Sequence, residues 1–448
     1  MEGNLIKLSK GLDIHLQGKA EEKKIQLKSN GKYALVPDDF EGVTPKVVVK
    51  EGDKVKAGDA LFVNKQYPDV RFASPVSGTV REVVRGERRK VLCIKVDADA
   101  QQEFTDFGKR DVGSMSGEQV INALLEAGLF GYINQLPYAV STNPSVQPKA
   151  IFVSALRDKP LAADFEYEVK GQENDFQTGL TALSKIAKTY LGVGVNSALK
   201  GMNDVVVNVF DGKCPAGNVG VQVNHIDPVN KGEVVWTIGD PTVVLFIGRL
   251  FNTGQVNLCR TIALCGSEIT SPAYVDMLVG EELSTLLSNS YDASKSVRII
   301  NGNVLTGKPT TKEGFLGAHA SEITVIPEGN DADEMLGWIL PRFKQFSVNR
   351  SYFSWLLGKK QYALDARVKG GERHMIMSGE YDRVLPMDIY GEYLIKAIIS
   401  GDIDRQEQLG IYEVAPEDFA LAEFVDSSKL ELQRIVREGL NILRKENA

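Results

Sequence analysis

The sequence predicts a multidomain α/β protein. At 448 residues the chain is too long for a single hydrophobic core, which indicates several domains. Its middle part alternates helix-like and strand-like segments, as an α/β layer requires, and short strand-like runs dominate on either side. The predicted divisions are a lead-in at 1–30, a β-rich domain at 31–100, an α/β domain at 101–255, a small β domain at 256–330 and a helical domain at 331–448.

The β-rich domain is indicated by two halves in which valine-rich runs surround turn residues. The halves are 51–61 (EGDKVKAGDAL) and 74–80 (SPVSGTV), and 91–96 is the predicted closing strand. This spacing resembles the barrel-sandwich hybrid of lipoyl and biotinyl carrier domains. Those carriers present a modifiable lysine between the halves, but the equivalent tip at 67–69 (YPD) has none, and Lys65 lacks the usual flanking residues. The resemblance therefore implies a carrier fold without its prosthetic arm.

Periodicity predicts the elements of the later domains. Apolar residues on one face predict helices in the α/β domain, and β-branched runs predict strands buried on both faces. The helices are expected at 117–129 and 178–190, and the strands at 150–154, 204–210 and 242–247. The small β domain is predicted to have strands at 260–265, 296–300 and 322–327. The helical domain is predicted to have helices at 331–340, 351–358, 386–400 and 428–446.

Composition excludes several classes of protein. A formal net charge of −7 argues against a nucleic-acid-binding protein, which needs a basic surface. The longest apolar run, 242–251, is too short to span a membrane and contains Arg249, and the N-terminus does not resemble a signal peptide. The four cysteines, at 93, 214, 259 and 265, have no Cys-x-x-Cys spacing, so they predict reduced thiols rather than a metal site. We therefore expect a cytoplasmic protein.

Short motifs in a fixed order extend along the whole chain. They are 10–13 (KGLD), 72–75 (FASP), 160–164 (PLAAD), 225–228 (HIDP), 247–251 (IGRLF), 263–267 (ALCGS), 325–329 (VIPEG), 346–350 (FSVNR) and 383–388 (RVLPMD). With this order of domains, the chain resembles the A-subunit family of the sodium-translocating NADH:quinone oxidoreductase, a bacterial respiratory pump. That family is similar to the flavin- and NADH-binding subunit of respiratory complex I. The resemblance implies a Rossmann-like α/β domain related to that flavoprotein, followed by a β-grasp-like small domain.

The binding motifs of those relatives are altered here. Their glycine-rich loop, which cradles the flavin phosphate, corresponds to 129–137 (LFGYINQLP), where one glycine remains among bulky residues. Their Glu-x-Glu-Pro segment corresponds to 156–160 (LRDKP), where acidic positions are replaced, and their clustered cysteines have no counterpart. The resemblance therefore implies a degenerate flavoprotein domain that binds no flavin, NADH or iron–sulfur cluster.

The remaining short motifs have ordinary structural interpretations. The run 192–195 (GVGV) begins like a dinucleotide fingerprint, but it follows a predicted helix rather than a strand, so a helix cap and turn are favoured. The run 302–309 (GNVLTGKP) approaches a P-loop, but Pro309 replaces the Ser or Thr that would bind magnesium, which favours a β-turn. His225 and Asp227 form either an acid–base pair or structural hydrogen bonds, and the latter is favoured. The histidines at 15, 319 and 374 have no evident partners.

The degenerate loop could still bind a quinone, which the family implies. A quinone site needs an apolar slot with a few polar groups directed at the carbonyl oxygens. The candidate residues are Phe130, Tyr132, Asn134, Gln135, Pro137 and Tyr138. The alternative is that these bulky side chains fill a cavity that is no longer used.

A second candidate surface alternates aromatic and basic residues. It consists of Arg342, Phe343, Phe346, Arg350, Tyr352, Phe353 and Trp355. Aromatic residues and arginine are enriched in the cores of interfaces, and basic residues suit anionic headgroups. The segment is therefore predicted to dock on a membrane subunit, unless it packs against the chain's own domains.

The resemblance implies a peripheral subunit without catalytic residues of its own, on the cytoplasmic face of the bacterial inner membrane. Its partners would be the other subunits of the sodium pump, including membrane-embedded ones that carry the sodium and the redox cofactors, with quinone as a further ligand. One alternative is a stand-alone flavin- or NADH-binding oxidoreductase with an unusual nucleotide site. Another is a component of the ferredoxin-dependent pump, against which the lack of cysteine clusters argues.

Overall fold

The computed structural model describes residues 4–330, 343–348, 352–358 and 360–447. Within these ranges the strands are β1 (Leu5–Lys7), β2 (Lys24–Ile25), β3 (Lys32–Leu35), β4 (Pro45–Val47), β5 (Lys54–Val55), β6 (Ala60–Asn64), β7 (Arg71–Ala73), β8 (Gly78–Arg85), β9 (Val91–Ala98), β10 (Asn134–Leu136), β11 (Val140–Ser141), β12 (Ile151–Ser154), β13 (Thr189–Gly194), β14 (Val206–Asp211), β15 (Val235–Ile238), β16 (Cys259–Cys265), β17 (Ala273–Leu278), β18 (Val297–Asn301), β19 (Lys308–Thr310) and β20 (Glu322–Pro327).

The α-helices in the same ranges are fewer and lie mainly in the second and last domains. They are α1 (Gly117–Glu126), α2 (Phe165–Val169), α3 (Glu173–Ile186), α4 (Val219–Ile226), α5 (Thr242–Thr253), α6 (Ser284–Leu287), α7 (Tyr381–Val384), α8 (Gly391–Ser400), α9 (Ile403–Gln408), α10 (Ala420–Val425) and α11 (Leu432–Glu446). The predicted helix at 331–340 lies outside the described residues. Of the predicted helix at 351–358, only residue 351 lies outside them, and Phe353–Leu356 form a 3-10 helix rather than an α-helix.

Two small sheets form the first domain, in the orders β3-β9-β8-β5 and β4-β6-β7. All of their pairings are antiparallel, and the tip at 67–69 joins β6 to β7. Phe62 and Phe72 face each other across β6 and β7 and stack with ring centroids 4.4 Å apart. Stacked aromatic rings of this kind provide much of the buried apolar area of a small core.

A seven-stranded sheet forms the second domain, in the order β1-β14-β13-β12-β15-β10-β11. The strands from β1 to β15 are parallel, whereas β10 and β11 are antiparallel to their neighbours. Helices α3 and α5 pack closely because Gly248 meets the backbone carbonyl of Asp175. Helix α1 begins at a capping box in which Ser116 and Gln119 bond reciprocally.

The predicted strand at 242–247 is wrong, because this run is the first half of α5. Its β-branched residues suggested a strand, but the apolar run continues to Phe251 and Gly254 ends it in a left-handed conformation, with φ 77°. Residues 242–251 are all buried, so no polar face marks a helical period. Two boundaries also differ: α3 ends at Ile186, and Thr189–Gly194, which contains Gly192, is strand β13 rather than a helix cap.

The third domain contains a six-stranded sheet in the order β19-β18-β20-β16-β17-β2. Strand β2 comes from the predicted lead-in, and β1 of the same segment joins the second domain, so the first 30 residues contribute to two sheets. The last domain is helical. Leu394, Leu432, Val436 and Leu440 pack in its core with Ile14 from the N-terminal segment.

Candidate functional site

A cavity of about 450 Å³ lies where all four domains meet; it is called the central cavity here. Its walls include Asp39 and Glu41 of the first domain, Tyr132, Asn134, Arg157, Asp158, Lys159 and Asp240 of the second, Lys308, His319 and Glu322 of the third, and Glu417, Gln433 and Arg437 of the last. A cavity formed between domains is a common position for a ligand site. The volume lies within the range of small-molecule pockets.

An aromatic cluster reaches the central cavity through Tyr132 and His319 and joins three domains. The ring of Phe40 lies 4.4 Å from Phe72, 5.0 Å from Tyr132 and 5.7 Å from His319, measured between centroids. Tyr132 and His319 meet edge to face at 5.5 Å. These edge-to-face and tilted contacts are the favoured arrangements of aromatic rings, so the cluster fixes the three domains against each other.

The degenerate loop packs closely against its own domain and against the first domain. Phe130 is fully buried and meets Trp236 at a right angle, with centroids 5.3 Å apart. A Cβ at Gly131 would lie 2.5 Å from Cζ of Phe72, so the retained glycine permits the close approach of the first domain. The side of Gly131 where a side chain would project is therefore occupied by the phenyl ring of Phe72.

Two of the six predicted quinone residues, Tyr132 and Asn134, line the central cavity. Gln135 is buried and its Oε1 accepts hydrogen bonds from Thr142 Oγ1 at 3.1 Å and from the backbone N–H of Asn143 at 3.2 Å. Phe130 and Pro137 are buried in the second domain, and the hydroxyl of Tyr138 lies 3.3 Å from Asn447 Nδ2. The structure therefore does not bring the six residues together around one space.

A buried ion-pair network lies beneath the cavity. Arg157 donates to Glu168 Oε2 at 2.7 Å, to Asp240 Oδ1 at 2.9 Å and to Thr242 Oγ1 at 2.7 Å. Arg260, whose side chain is fully buried, pairs with Asp240 Oδ2 at 3.0 Å. Arg157 lies in the segment that corresponds to the relatives' Glu-x-Glu-Pro motif, so a cation occupies this part of the chain and its charge is matched internally.

The other cations of the cavity are also engaged. Lys159 pairs with Glu417 at 2.8 Å, and Lys308 donates to the backbone oxygen of Asp38 at 2.8 Å. Arg437 donates to the backbone oxygens of Tyr138 and Ala139 at 2.8 and 3.0 Å, which ties α11 to the degenerate loop. With Arg157, the walls contain four lysine or arginine side chains against six carboxylates. The carboxylates are Asp39, Glu41, Asp158, Asp240, Glu322 and Glu417. The cavity is therefore polar and weakly acidic.

Burial and these charges set the protonation of the cavity. Burial alone would raise the pKa of Asp240, but Arg260 and Arg157 outweigh it and hold that pKa at about 2. Burial lowers the pKa of His319 below its usual value, against the opposing effects of Asp240 and Asp39, so the imidazole is neutral at pH 7. Burial also raises the pKa of the Tyr132 hydroxyl, which keeps its proton. The cavity thus presents one neutral imidazole, one phenol and the amide of Asn134.

The other sequence motifs have structural partners. In the 302–309 run, Asn303 Oδ1 accepts from the backbone N–H groups of Leu305 and Thr306, which forms a turn at the cavity wall. His225 Nδ1 lies 3.0 Å from the backbone oxygen of Val221, and Asp227 pairs with Lys149 rather than with His225. His319 is one of the wall residues that sequence reasoning missed, since its aromatic partners lie in other domains.

The predicted docking segment is only partly described, because Arg342 and Arg350 lie outside the described residues. Phe343 and Phe353 stack with centroids 5.5 Å apart and are 54% and 42% exposed, and Trp355 is 51% exposed. Tyr352 is partly buried at the edge of this surface. Phe346 packs inward against Tyr362 and Phe424. Three of the aromatic side chains therefore face outward, and one belongs to the domain core.

The described residues contain neither a metal-binding cluster nor a membrane-spanning helix. No group of three or more His, Cys, Asp or Glu side chains is arranged there to hold a metal ion. In the same ranges, no helix combines the length and hydropathy needed to cross a bilayer.

Three family models match successive parts of the chain. They are the NqrA N-terminal barrel-sandwich hybrid domain at residues 6–99, the NqrA second alpha/beta domain at 115–256 and the NQRA C-terminal domain at 261–312. These matches confirm the predicted barrel-sandwich hybrid and α/β domain and the multidomain α/β class.

Full-length relatives have one description in common, the A subunit of a Na(+)-translocating NADH-quinone reductase. The chain is 33% identical to that of Yersinia pestis bv. Antiqua, 34% to that of Hahella chejuensis and 35% to that of Haemophilus influenzae strain PittGG. Each alignment covers 99% of this chain and 100% of the relative. Among solved structures, an NAD+-reducing NiFe hydrogenase in the H2-reduced state is 11% identical over 75% of this chain and 64% of its own, with a TM-score of 0.34, which is too low to support a conclusion.

Proposed function

Because the chain belongs to the NqrA family, the A subunits of the Na+-translocating NADH-quinone reductases, and is therefore part of that enzyme complex, we propose that it is a structural subunit that binds neither flavin nor NADH. One observation carries this proposal: the four lysine and arginine side chains in the walls of the central cavity are all engaged by the chain's own carboxylates and carbonyls. A nucleotide phosphate would have to compete with these partners.

The rest of the cavity supports the same conclusion. Its carboxylates outnumber its cations, so a phosphate group would enter an unfavourable field. The degenerate loop cannot approach a phosphate closely, because Phe72 covers Gly131. These features disfavour a stand-alone oxidoreductase with a nucleotide site. They favour a subunit that holds its domains, and the other subunits of the complex, in fixed positions at the cytoplasmic face of the membrane.

Removing the chain from the complex tests this proposal. The complex would be purified from cells with and without this chain, and flavin would be measured per mole of the remaining subunits. We expect the flavin content to stay constant, while NADH:quinone reductase activity falls because the assembly is incomplete. Loss of a stoichiometric flavin together with the chain would refute the proposal.

A quinone headgroup is a second candidate ligand. Tyr132, Asn134 and His319 line the same cavity, and the aromatic cluster provides apolar area beside them. The phenol and the amide can donate hydrogen bonds to the carbonyl oxygens of a quinone. The surrounding carboxylates suit a headgroup better than an isoprenoid tail, so a bound quinone would enter with its polar end.

Matched tyrosine variants test quinone binding. Tyr132 and Tyr138 both come from the degenerate loop, but only Tyr132 lines the cavity. We expect a short-chain quinone analogue to bind the purified chain in calorimetry, and Tyr132→Phe to weaken that binding, because the hydroxyl that contacts the ligand is lost. Tyr138→Phe should leave binding unchanged. Equal effects of the two substitutions would contradict a site in the cavity.

The outward-facing aromatic side chains would complete the structural role. Phe343, Phe353 and Trp355 are suited to dock on a membrane-embedded subunit near anionic headgroups. Phe353→Ser should weaken attachment of the chain to membranes that contain the other subunits. Phe104, of similar exposure at 39% but in a different domain, supplies the control Phe104→Ser. Equal attachment of the two variants would contradict docking through this segment.

A further inference from the structure

Helix α8 has one buried apolar face and one exposed face that mixes apolar and polar side chains. Leu394 and Ile395 are fully buried and Ile398 packs on Gly439 of α11, so this face belongs to the domain core. On the other face Tyr393 and Ile399 are 59% and 54% exposed. Lys396 and Ser400 lie between them on the same exposed face. Two large apolar side chains of α8 are therefore left open to solvent by the described residues.

The exposed face of α8 forms one wall of a groove. This α8 groove has a volume of about 430 Å³ and is bounded by α8, by α9 and the residue that follows it, and by the extended chain before α7. The residues that define it here are Met375, Tyr393, Lys396, Ile399, Arg405 and Leu409. Tyr390, which is 69% exposed, lies beside Tyr393 with ring centroids 6.2 Å apart and extends the apolar surface. Contiguous exposed apolar area of this kind marks an interaction site.

The charge of the α8 groove contrasts with that of the whole chain. The protein has a net charge of −7, yet two cations and no carboxylate line the groove. Lys396 forms no ion pair with any described residue, and Arg405 pairs only with the partly exposed Asp402, at 3.4 Å. A ligand that fills the groove should therefore contribute apolar side chains and at least one carboxylate.

We propose that the α8 groove receives an amphipathic segment, carrying an acidic residue that pairs with Lys396, from another subunit of the same complex. Membership of a multisubunit enzyme makes such a partner available. The groove is concave, which suits the apolar ridge of a helix in a groove better than a flat membrane surface. In a symmetric dimer through this groove, Lys396 and Arg405 of one copy would face Lys396 and Arg405 of the other. The repulsion between these like charges opposes such a dimer.

A matched pair of isoleucine substitutions tests the groove in the assembled complex. Ile399→Asp places a charge in the groove, and Ile442→Asp places the same charge on α11, where Ile442 is 50% exposed and outside the groove. We expect the other subunits that copurify with a tagged chain to fall at least about tenfold for Ile399→Asp, because a central apolar contact dominates binding. Ile442→Asp should copurify normally. Equal recovery with both variants, each shown to be folded by circular dichroism, would overturn the proposal.

Cross-linking then identifies the occupant. A photoreactive amino acid at position 400, on the groove wall, would be activated in the intact complex and the product sequenced by mass spectrometry. The expected product joins an acidic, amphipathic segment of another subunit, and Lys396→Glu should be rescued when that segment's acid is changed to lysine. Products with a second copy of this chain, or with lipid alone, would overturn the proposal. The proposal would also be overturned if the isolated chain floated tightly with anionic phosphatidylglycerol vesicles and Ile399→Asp abolished that binding.

Discussion

Replacing Arg157 with methionine should destabilise the second domain more than any surface change. Arg157 has 8% of its side chain exposed, and it donates to two carboxylates and one hydroxyl. Its guanidinium also lies 5.2 Å from the ring of Phe165, measured to the centroid. Methionine fills much of the same space, so the variant isolates the loss of charge and hydrogen bonds from the loss of volume.

The magnitude follows from the carboxylate that remains. Asp240 keeps its pairing with Arg260, but Glu168, whose side chain is 1% exposed, keeps only Thr242 as a partner, at 2.9 Å. Removing one partner of a buried ion pair costs about 3–5 kcal/mol, because an uncompensated charge stays buried. The double variant Arg157→Met with Glu168→Gln removes that charge. It should recover at least about 1 kcal/mol relative to the single variant.

Hydrogen–deuterium exchange read by mass spectrometry measures this loss within the second domain. Peptides from β12, α2 and β15 should exchange roughly a hundredfold to several thousandfold faster in Arg157→Met, since each 1.4 kcal/mol corresponds to about tenfold. Peptides from β8 and β9 of the first domain serve as an internal reference. A loss below about 1 kcal/mol, or a double variant less stable than the single variant, would refute the argument that the network supports the fold.

Three further outcomes follow from the packing and from one buried carboxyl. Gly131→Ala should lower the free energy of unfolding by about 1–3 kcal/mol in urea titration, because the new methyl group clashes with Phe72, and Phe72→Leu should recover part of that loss. Gly248→Ala should destabilise the chain in the same assay, because its methyl group would strike the carbonyl of Asp175 between α3 and α5. Burial, with Glu417 nearby, raises the pKa of the Asp418 carboxyl from 3.8 to about 7. The stability that this shift contributes is complete below pH 3.8 and is lost as the pH rises through 7. Asp418→Asn should remove this decline from a series of urea titrations at different pH values.

The sequence predicted the domain order and the family well, because these depend on features repeated along the whole chain. Ordered short motifs and valine-framed turns survive small errors in any single element. The strand predicted at 242–247 was wrong for a local reason: α5 is buried on every side, so β-branched residues outweighed a helical period that polar residues would have revealed. The length of the apolar run and Gly254 were the signals that could have corrected it.

The site was harder to predict, because its walls come from every domain. Of the six residues predicted from the degenerate loop, Tyr132 and Asn134 line the central cavity. The direction of Gln135 depends on the pairing of β10 with β11, which places Thr142 beside it. The contact of His319 with Tyr132 joins residues from two domains, and no local pattern in the sequence encodes it.

Titration of the purified chain with FMN and with NADH, by calorimetry and absorbance on the same sample, tests the central claim most directly. The claim is that internal ion pairs and Phe72 have replaced the nucleotide's partners in the central cavity. It predicts a colourless protein that shows no saturable heat with either ligand. Saturable binding of FMN or NADH that Lys159→Met or Arg437→Met abolishes would contradict it, because those cations would then serve a phosphate rather than Glu417 and the degenerate loop.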